Sequence, residues 1–442
     1  MLPRLLGTRT AGIAVAAALA AALALKAVLA FPFQLGIDFY QFWGVPVAHR
    51  GIAASPYLDP PAYERALNGI ADASDNAKLK HANGFRRSLE TMATPFFYSA
   101  FAIAPDDYES AQALFTLLLY ASTAIGVFLL ARTRGLGPWP AVCLALFVEL
   151  TFNPFVQDVR VSNVNSIQFL YVAAMVWIAA SGRYPRSALL ESLYVGSLAF
   201  FVLFKPNTPW IALALAAHYG VARGTRKLAA GLAAACVGGI LALGIGAWFF
   251  HDANVWLDWL RFTQGMNGGS LVRTVEQGNL SPAMLLSQRS GTFGLLGYAL
   301  LITAWLAFAV VLAMTEMGRR FGDLLPAARR TLADPGLAAS LGVVFTLATS
   351  PLVWPFYHLF ALVPMILFFR PREAPRRAAC IAASYLAMTS PLLELLGRAG
   401  FGPLIPILML WAWTPLLVVV LGEVAGRALA TPVGDGHNAS GP

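Results

Sequence analysis

Apolar runs of roughly twenty residues, the length that crosses a bilayer as a helix, recur along almost the whole chain, with shorter ones where a helix is broken. They lie near 11–33, 111–131, 138–156, 165–181, 188–204, 207–222, 228–250, 293–316, 337–350, 352–369, 376–393 and 401–422. Composition agrees: 58% of residues are hydrophobic and only 12% charged, where a soluble domain is nearer a quarter charged. The expected fold is an all-α polytopic membrane protein of about 11–12 transmembrane helices. The segments 188–222 and 337–369 each contain a proline-bearing break, so each is two spans, one broken helix or one re-entrant element. Arg4 and Arg9 before an Ala-rich stretch resemble a signal peptide. The run behind them is too long for one and holds Lys26, so an uncleaved first helix is expected.

Basic residues set the expected orientation. Alternate junctions carry Arg4/Arg9, Arg132/Arg134, Arg183/Arg186, Arg223/Arg226/Lys227, Arg319/Arg320/Arg329/Arg330, Arg370/Arg372/Arg376/Arg377 and Arg427. The short junctions between them carry only Arg160, Lys205 and Arg398. The positive-inside rule then puts both termini in the cytoplasm of a multi-pass plasma-membrane protein. Two long loops, 34–110 and 251–292, face outward, within a single membrane domain over 1–430 and ahead of a polar, disordered tail over 431–442. The net charge of +9 follows from this topology and from attraction to anionic lipid. Being spread over junctions, it gives no reason to expect nucleic acid. Pro60 to Leu67 begins like a helix, and residues 77–92 suit a helix lying on the membrane surface or a solvated charged one. The cysteines, Cys143, Cys236 and Cys380, all sit in apolar segments and are expected reduced.

Five residues beyond the first run stands Asp38, in Gly36-Ile-Asp-Phe-Tyr-Gln-Phe-Trp43. An acid at a membrane boundary is expensive to keep. Asp38 either caps a helix starting at Phe39 or serves a site walled by the aromatic cluster that includes Tyr40. Polar groups recur at the same ends of later spans: Ser162-Asn-Val-Asn165, Lys205-Pro-Asn-Thr-Pro209, Asn279-Leu-Ser281 and Ser350-Pro-Leu-Val-Trp-Pro-Phe-Tyr-His358. All fall on the face that carries Asp38, which argues for one outer-leaflet site. Lys205 is a cation at a tight outer turn, against the positive-inside trend, and suits a phosphate. Asn163 and Asn165 either cap a helix or pair with a neighbour. Arg50, Arg273 and Arg289 are less specific. No P-loop, dinucleotide glycine pattern or His/Cys metal spacing is present, and Asp106-Asp107 reads as a helix start.

These motifs resemble glycosyltransferase family 87, membrane enzymes of GT-C architecture that use polyprenyl-phosphate sugars. Asp38-Phe-Tyr-Gln-Phe-Trp43 with Gly51 and Ser55-Pro-Tyr57 resembles the family's opening region. Thr94-Pro-Phe-Phe-Tyr98 with Pro105, Phe204-Lys-Pro-Asn-Thr-Pro209, Gly278-Asn-Leu-Ser281 and Ser350-Pro-x-x-Trp354 with His358 follow in order. One departure is that the family's Gly-Gln-x-Asn reads Ser162-Asn163-Val164-Asn165 here. The resemblance implies a GT-C-like bundle and inverting transfer of a hexose, mannose by default, to an envelope glycolipid or glycan on the extracytoplasmic face. Asp38 would be the general base. Lys205 and His358, with Arg50 or Arg289 in reserve, would meet the phosphate. Asn165, Asn279, Trp354, Tyr357 and Tyr40 would line the sugar or acceptor pocket. No metal or other cofactor is implied, because Lys and His can neutralise a phosphate leaving group. A transporter or lipid flippase would share the many spans and broken helices, though here the breaks gather at one face.

Overall fold

The computed structural model describes residues 9–31, 34–89, 93–182, 188–266, 279–290, 292–315 and 324–429. Among these the chain is all-α, with one isolated backbone bridge as its only β pairing. Arg4, Arg183, Arg186, Arg273, Gly278, Arg319, Arg320 and the tail over 431–442 lie outside the described residues. Among the described residues five helices are long and apolar enough to cross a membrane: Thr10–Ala30, Tyr108–Thr133, Thr225–Phe249, Leu295–Met314 and Gly402–Ala428. Leu25, Val28, Leu117, Ile240, Leu300 and Phe308 stand exposed on four of them. Faces this apolar need lipid rather than water. The protein is a helical membrane protein.

Shorter apolar helices occupy the other runs: Pro138–Thr151, Asn165–Ala180, Glu191–Phe204 and Pro355–Phe368. A further pair, Leu324–Leu332 and Pro335–Thr349, bends by 99° at its break. Length and composition alone thus mark five spans, or six with that pair, where the apolar runs led to an expectation of 11–12. Shorter helices and local breaks together make the difference. The run 138–156 stops at Thr151 and restarts as the separate helix Asn153–Val161 with Pro154 in its first turn. The run 376–393 splits in the same way, into Pro375–Ala387 and Ser390–Arg398. The two breaks brace each other: Asn153 N–H donates to the Met388 carbonyl at 2.8 Å, and Phe152 pairs with Thr389. Lys26, the charge inside the first apolar run, donates to the Leu150 carbonyl at 2.6 Å, near a helix end where carbonyls lack helical partners.

The segment after the first helix folds into four short helices, Ile37–His49, Pro60–Ala73, Ala77–Phe85 and Pro95–Phe101. Asp59, Asn76 and Thr94 cap the last three, each accepting a backbone N–H at 3.0–3.1 Å. Asp107 caps the long helix Tyr108–Thr133 in the same way at 2.8 Å, so it starts a helix as expected. The residues 77–92 do not form one surface helix. Among the described residues of that stretch only Ala77–Phe85 is helical, and its Leu79, Ala82 and Asn83 are buried because they share one face, the helix packing on Ile37–His49, Pro60–Ala73 and Tyr108–Thr133.

Gly36 fixes how this segment enters. Its φ is +56°, and the Leu35 and Gly36 N–H groups donate to the Arg160 carbonyl at 2.9 and 3.1 Å. A Cβ there would collide with the Gln112 side chain and lie 2.8 Å from the Tyr108 hydroxyl. Gly36→Ala is therefore expected to cost about 2 kcal/mol or more, combining the left-handed backbone with the displaced neighbours. Thermal unfolding in detergent checks this, and an unchanged midpoint would refute it.

Candidate functional site

Asp38 lies in the first turn of Ile37–His49, and Gly36, not Asp38, occupies the N-cap position. Its carboxylate accepts no backbone bond from its own helix. Oδ1 accepts from Arg86 Nη2 at 3.1 Å and Oδ2 from Asn163 Nδ2 at 2.6 Å. The capping reading of Asp38 thus fails on geometry. The carboxylate and the guanidinium are about equally buried, at 14% and 15% exposure, which makes this ion pair well shielded from solvent.

Asn163 is the hinge of the arrangement. Its amide donates to Asp38, while its Oδ1 accepts from Val164 N–H at 2.7 Å, Asn165 Nδ2 at 3.1 Å and Lys205 Nζ at 2.7 Å. One side-chain amide therefore joins a carboxylate to an ammonium. Lys205 Nζ also donates to Asn165 Oδ1 at 3.3 Å and sits 4.7 Å from the Tyr357 ring centroid. That is within cation–π range. Burial draws the Lys205 ammonium down to about 8, against the pull of Asp158 and Asp38, which favour its charged form.

The backbone that aims Asn163 is strained. Ser162 is fully buried with φ +57°, in the left-handed region that side chains avoid. Its hydroxyl gains only a 3.2 Å bond to the Val159 carbonyl. Ser162→Gly is expected to stabilise the fold by about 1 kcal/mol, since glycine meets no steric cost there. A raised unfolding midpoint would show it. A lowered one would mean that the hydroxyl bond outweighs the strain.

Asp38, Arg86, Asn163 and Lys205 line a cavity of about 550 Å³. Its walls are the start of Ile37–His49, Phe85 and Arg86, Ala93 and Phe97, the turn at Val161–Asn163, the break at Lys205–Asn207 and the break from Ser350 to Tyr357. Phe42, Phe85, Phe97, Trp354, Phe356 and Tyr357 give it an aromatic lining. One tie holds the first segment against the Lys205 break, and a second braces that segment internally. Thr94 donates to the Leu203 carbonyl at 2.6 Å, and Tyr57 donates to the Ala93 carbonyl at 2.7 Å.

The other residues singled out from the sequence fall elsewhere. Asn279 is fully buried behind the wall, where it donates to the Pro351 carbonyl and accepts from Ser281 and Val353 N–H, pinning the 350–353 break. Asn165 is also fully buried and reaches the cavity only through Lys205 and Asn163. Tyr40 donates to Asn83 Oδ1 at 2.8 Å within the first segment, and burial pushes its hydroxyl up. His358 is fully enclosed and off the cavity wall. Arg50 pairs with Asp106 at 2.8 Å beside a second cavity, which also holds His49 and His251. Arg289 is exposed on Pro282–Ser290. Sequence reasoning missed Arg86, read only as part of a charged surface, and Asp158, which it did not single out. Among the described residues no cluster of three or more His, Cys, Asp or Glu is placed to hold a metal ion. Searches against protein-family models, curated proteins and solved structures find no match to this chain.

Proposed function

We propose that the protein is a membrane glycosyltransferase that moves a hexose, mannose by default, from a polyprenyl-phosphate sugar to a hydroxyl of an envelope glycolipid or glycan. The observation that carries this reading is the Asp38–Asn163–Lys205 bridge on the wall of an aromatic cavity formed where helices break. A base and a phosphate-neutralising cation are thereby held a fixed distance apart, as displacement at an anomeric carbon requires.

Each Asp38 oxygen accepts one bond, so the carboxylate keeps lone pairs for an acceptor hydroxyl. That hydroxyl gives its proton to Asp38 as its oxygen attacks the anomeric carbon. The bond from that carbon to the phosphate oxygen breaks on the opposite face, inverting the configuration. The lipid phosphate leaves with one further negative charge, which Lys205 meets and Arg86 is placed to share. Trp354 and Tyr357 offer faces for the apolar side of the sugar. In this reading the cavity opens to the extracytoplasmic face, both termini are cytoplasmic, and the shorter apolar helices complete a GT-C-like bundle in which some spans are broken.

The test is transfer by purified protein in nanodiscs, with a panel of short-chain polyprenyl-phosphate sugars, extracted envelope lipids and EDTA. The expected result is transfer from one donor, with the product anomer inverted. No transfer from any donor, together with movement of lipid between leaflets, would replace this reading with a translocator.

A further inference from the structure

Behind the cavity wall lies a second carboxylate that the reaction above does not touch. Asp158 is fully buried. Its Oδ2 accepts from the Ser166 backbone N–H at 2.9 Å and from Ser166 Oγ at 2.6 Å. Its Oδ1 accepts from Asn165 Nδ2 at 2.9 Å, and Nδ2 also donates to Asn163 Oδ1 at 3.1 Å. With its N–H groups committed, the Asn165 amide has only its oxygen to turn toward Lys205, 3.3 Å away. Rotating that amide by half a turn would set N–H against ammonium and leave a buried carboxylate oxygen unbonded, which is costly.

We propose that Asp158 is a positioning residue for the donor-phosphate cation: by orienting Asn165 it holds Lys205 Nζ at the cavity wall. The inference rests on the reading in which Lys205 meets the phosphate. A purely structural role is also available, because Val164, the N-cap of Asn165–Ala180, makes no side-chain cap bond. Asp158 caps that helix through Ser166. Capping does not account for the bond to Asn165, which runs toward Lys205.

The surroundings of Lys205 make the effect readable. Its ammonium touches two neutral amide oxygens. Favourable charge reaches it only at one remove, from Asp158 and Asp38. Arg86 is linked to it only through Asp38 and Asn163, and the Tyr357 and Phe356 rings lie 4.7 and 5.8 Å from it. Removing the Asp158 charge leaves burial less opposed.

The experiment titrates Lys205 directly. Competitive acylation of the purified protein in nanodiscs, read at Lys205 by mass spectrometry as pH is varied, needs no sugar donor. Asp158→Asn should lower the midpoint by about one pH unit and raise the donor KM about twofold at neutral pH with the acceptor KM unchanged. Ser166→Ala should lower the unfolding midpoint while leaving the Lys205 titration in place. If Asp158→Asn does not fold, Asn165→Ala replaces it, since it keeps the Ser166 cap bonds and should lower the Lys205 midpoint too. An unmoved Lys205 titration in the variant that folds overturns the inference. A moved titration in a protein that transfers no sugar sustains the positioning role and removes the transferase reading instead.

Discussion

Asp38→Asn should lower sugar transfer by about 10²- to 10⁴-fold, the usual worth of a positioned general base, and should destabilise the protein as well. Both Asp38 oxygens accept, one from Arg86 and one from Asn163. An asparagine has one acceptor, so one of the two contacts becomes donor against donor. Asn163 cannot flip to relieve it, because its own oxygen is held by Val164, Asn165 and Lys205. The cost is about 1–3 kcal/mol for a buried group left unpaired. Combining Asp38→Asn with Arg86→Gln removes the guanidinium and supplies an acceptor, so unfolding should return toward the wild-type midpoint while transfer stays lost. Turnover and unfolding measured on the same three preparations separate the two effects. If the double variant regains transfer along with stability, Asp38 is a structural partner of Arg86 and not the base.

Lys205→Ala should raise the donor KM roughly ten- to hundredfold, the equivalent of about 1.5–3 kcal/mol for a hydrogen bond to a charged group. The acceptor KM should not move. Wild-type donor binding should also weaken as pH rises through about 8, where the free Lys205 ammonium loses its proton, and Lys205→Ala should abolish that dependence. Stability should run the other way. Lys205 titrates lower in the folded protein than in the unfolded chain, so between about 8 and its ordinary value of 10.5 the unfolded chain holds more protons. Its contribution therefore rises with pH across that window. A donor affinity that is flat from neutral pH to 10, or that shifts equally for both substrates, would remove Lys205 from the phosphate.

The parts of this site that can be read from the sequence are those that break a local rule. Asp38 and Lys205 are charges beside apolar runs, and the Ser162–Asn165 and Ser350–His358 segments put polar residues and prolines between them. Each violates the pattern of a lipid-facing helix, and each ends at the cavity. Arg86 breaks no such rule. It sits among Lys78, Lys80 and Arg87, where any one of four cations looks like solvent-facing charge. Only the packing of Leu79, Ala82 and Asn83 shows which way the chain turns it. Asp158 is hidden for a related reason, since it lies just past an apolar run that reads as a single span until the break at Phe152 separates it. Asn279 and Tyr40 mislead in the opposite direction. Both are polar groups near the right end of the bundle, but turns and neighbouring helices use them before the cavity does. The number of spans suffers likewise, because hydropathy records where the chain is apolar and not where a helix stops.

The Asp38–Arg86 pair also bears on how the protein is made. Both partners belong to the first segment, 48 residues apart, whereas Asn163 and Lys205 follow Asp38 by 125 and 167 positions. During synthesis the first segment is made long before the helices that complete the cavity. It carries its own counterion, so its acid need not wait unpaired at the membrane surface. The four short helices can dock as a preassembled cap once the Lys205 break arrives, and the Arg160 carbonyl and the Thr94 tie are the latches that receive it. A nascent chain stalled before residue 160 should therefore hold a compact cap and no working site.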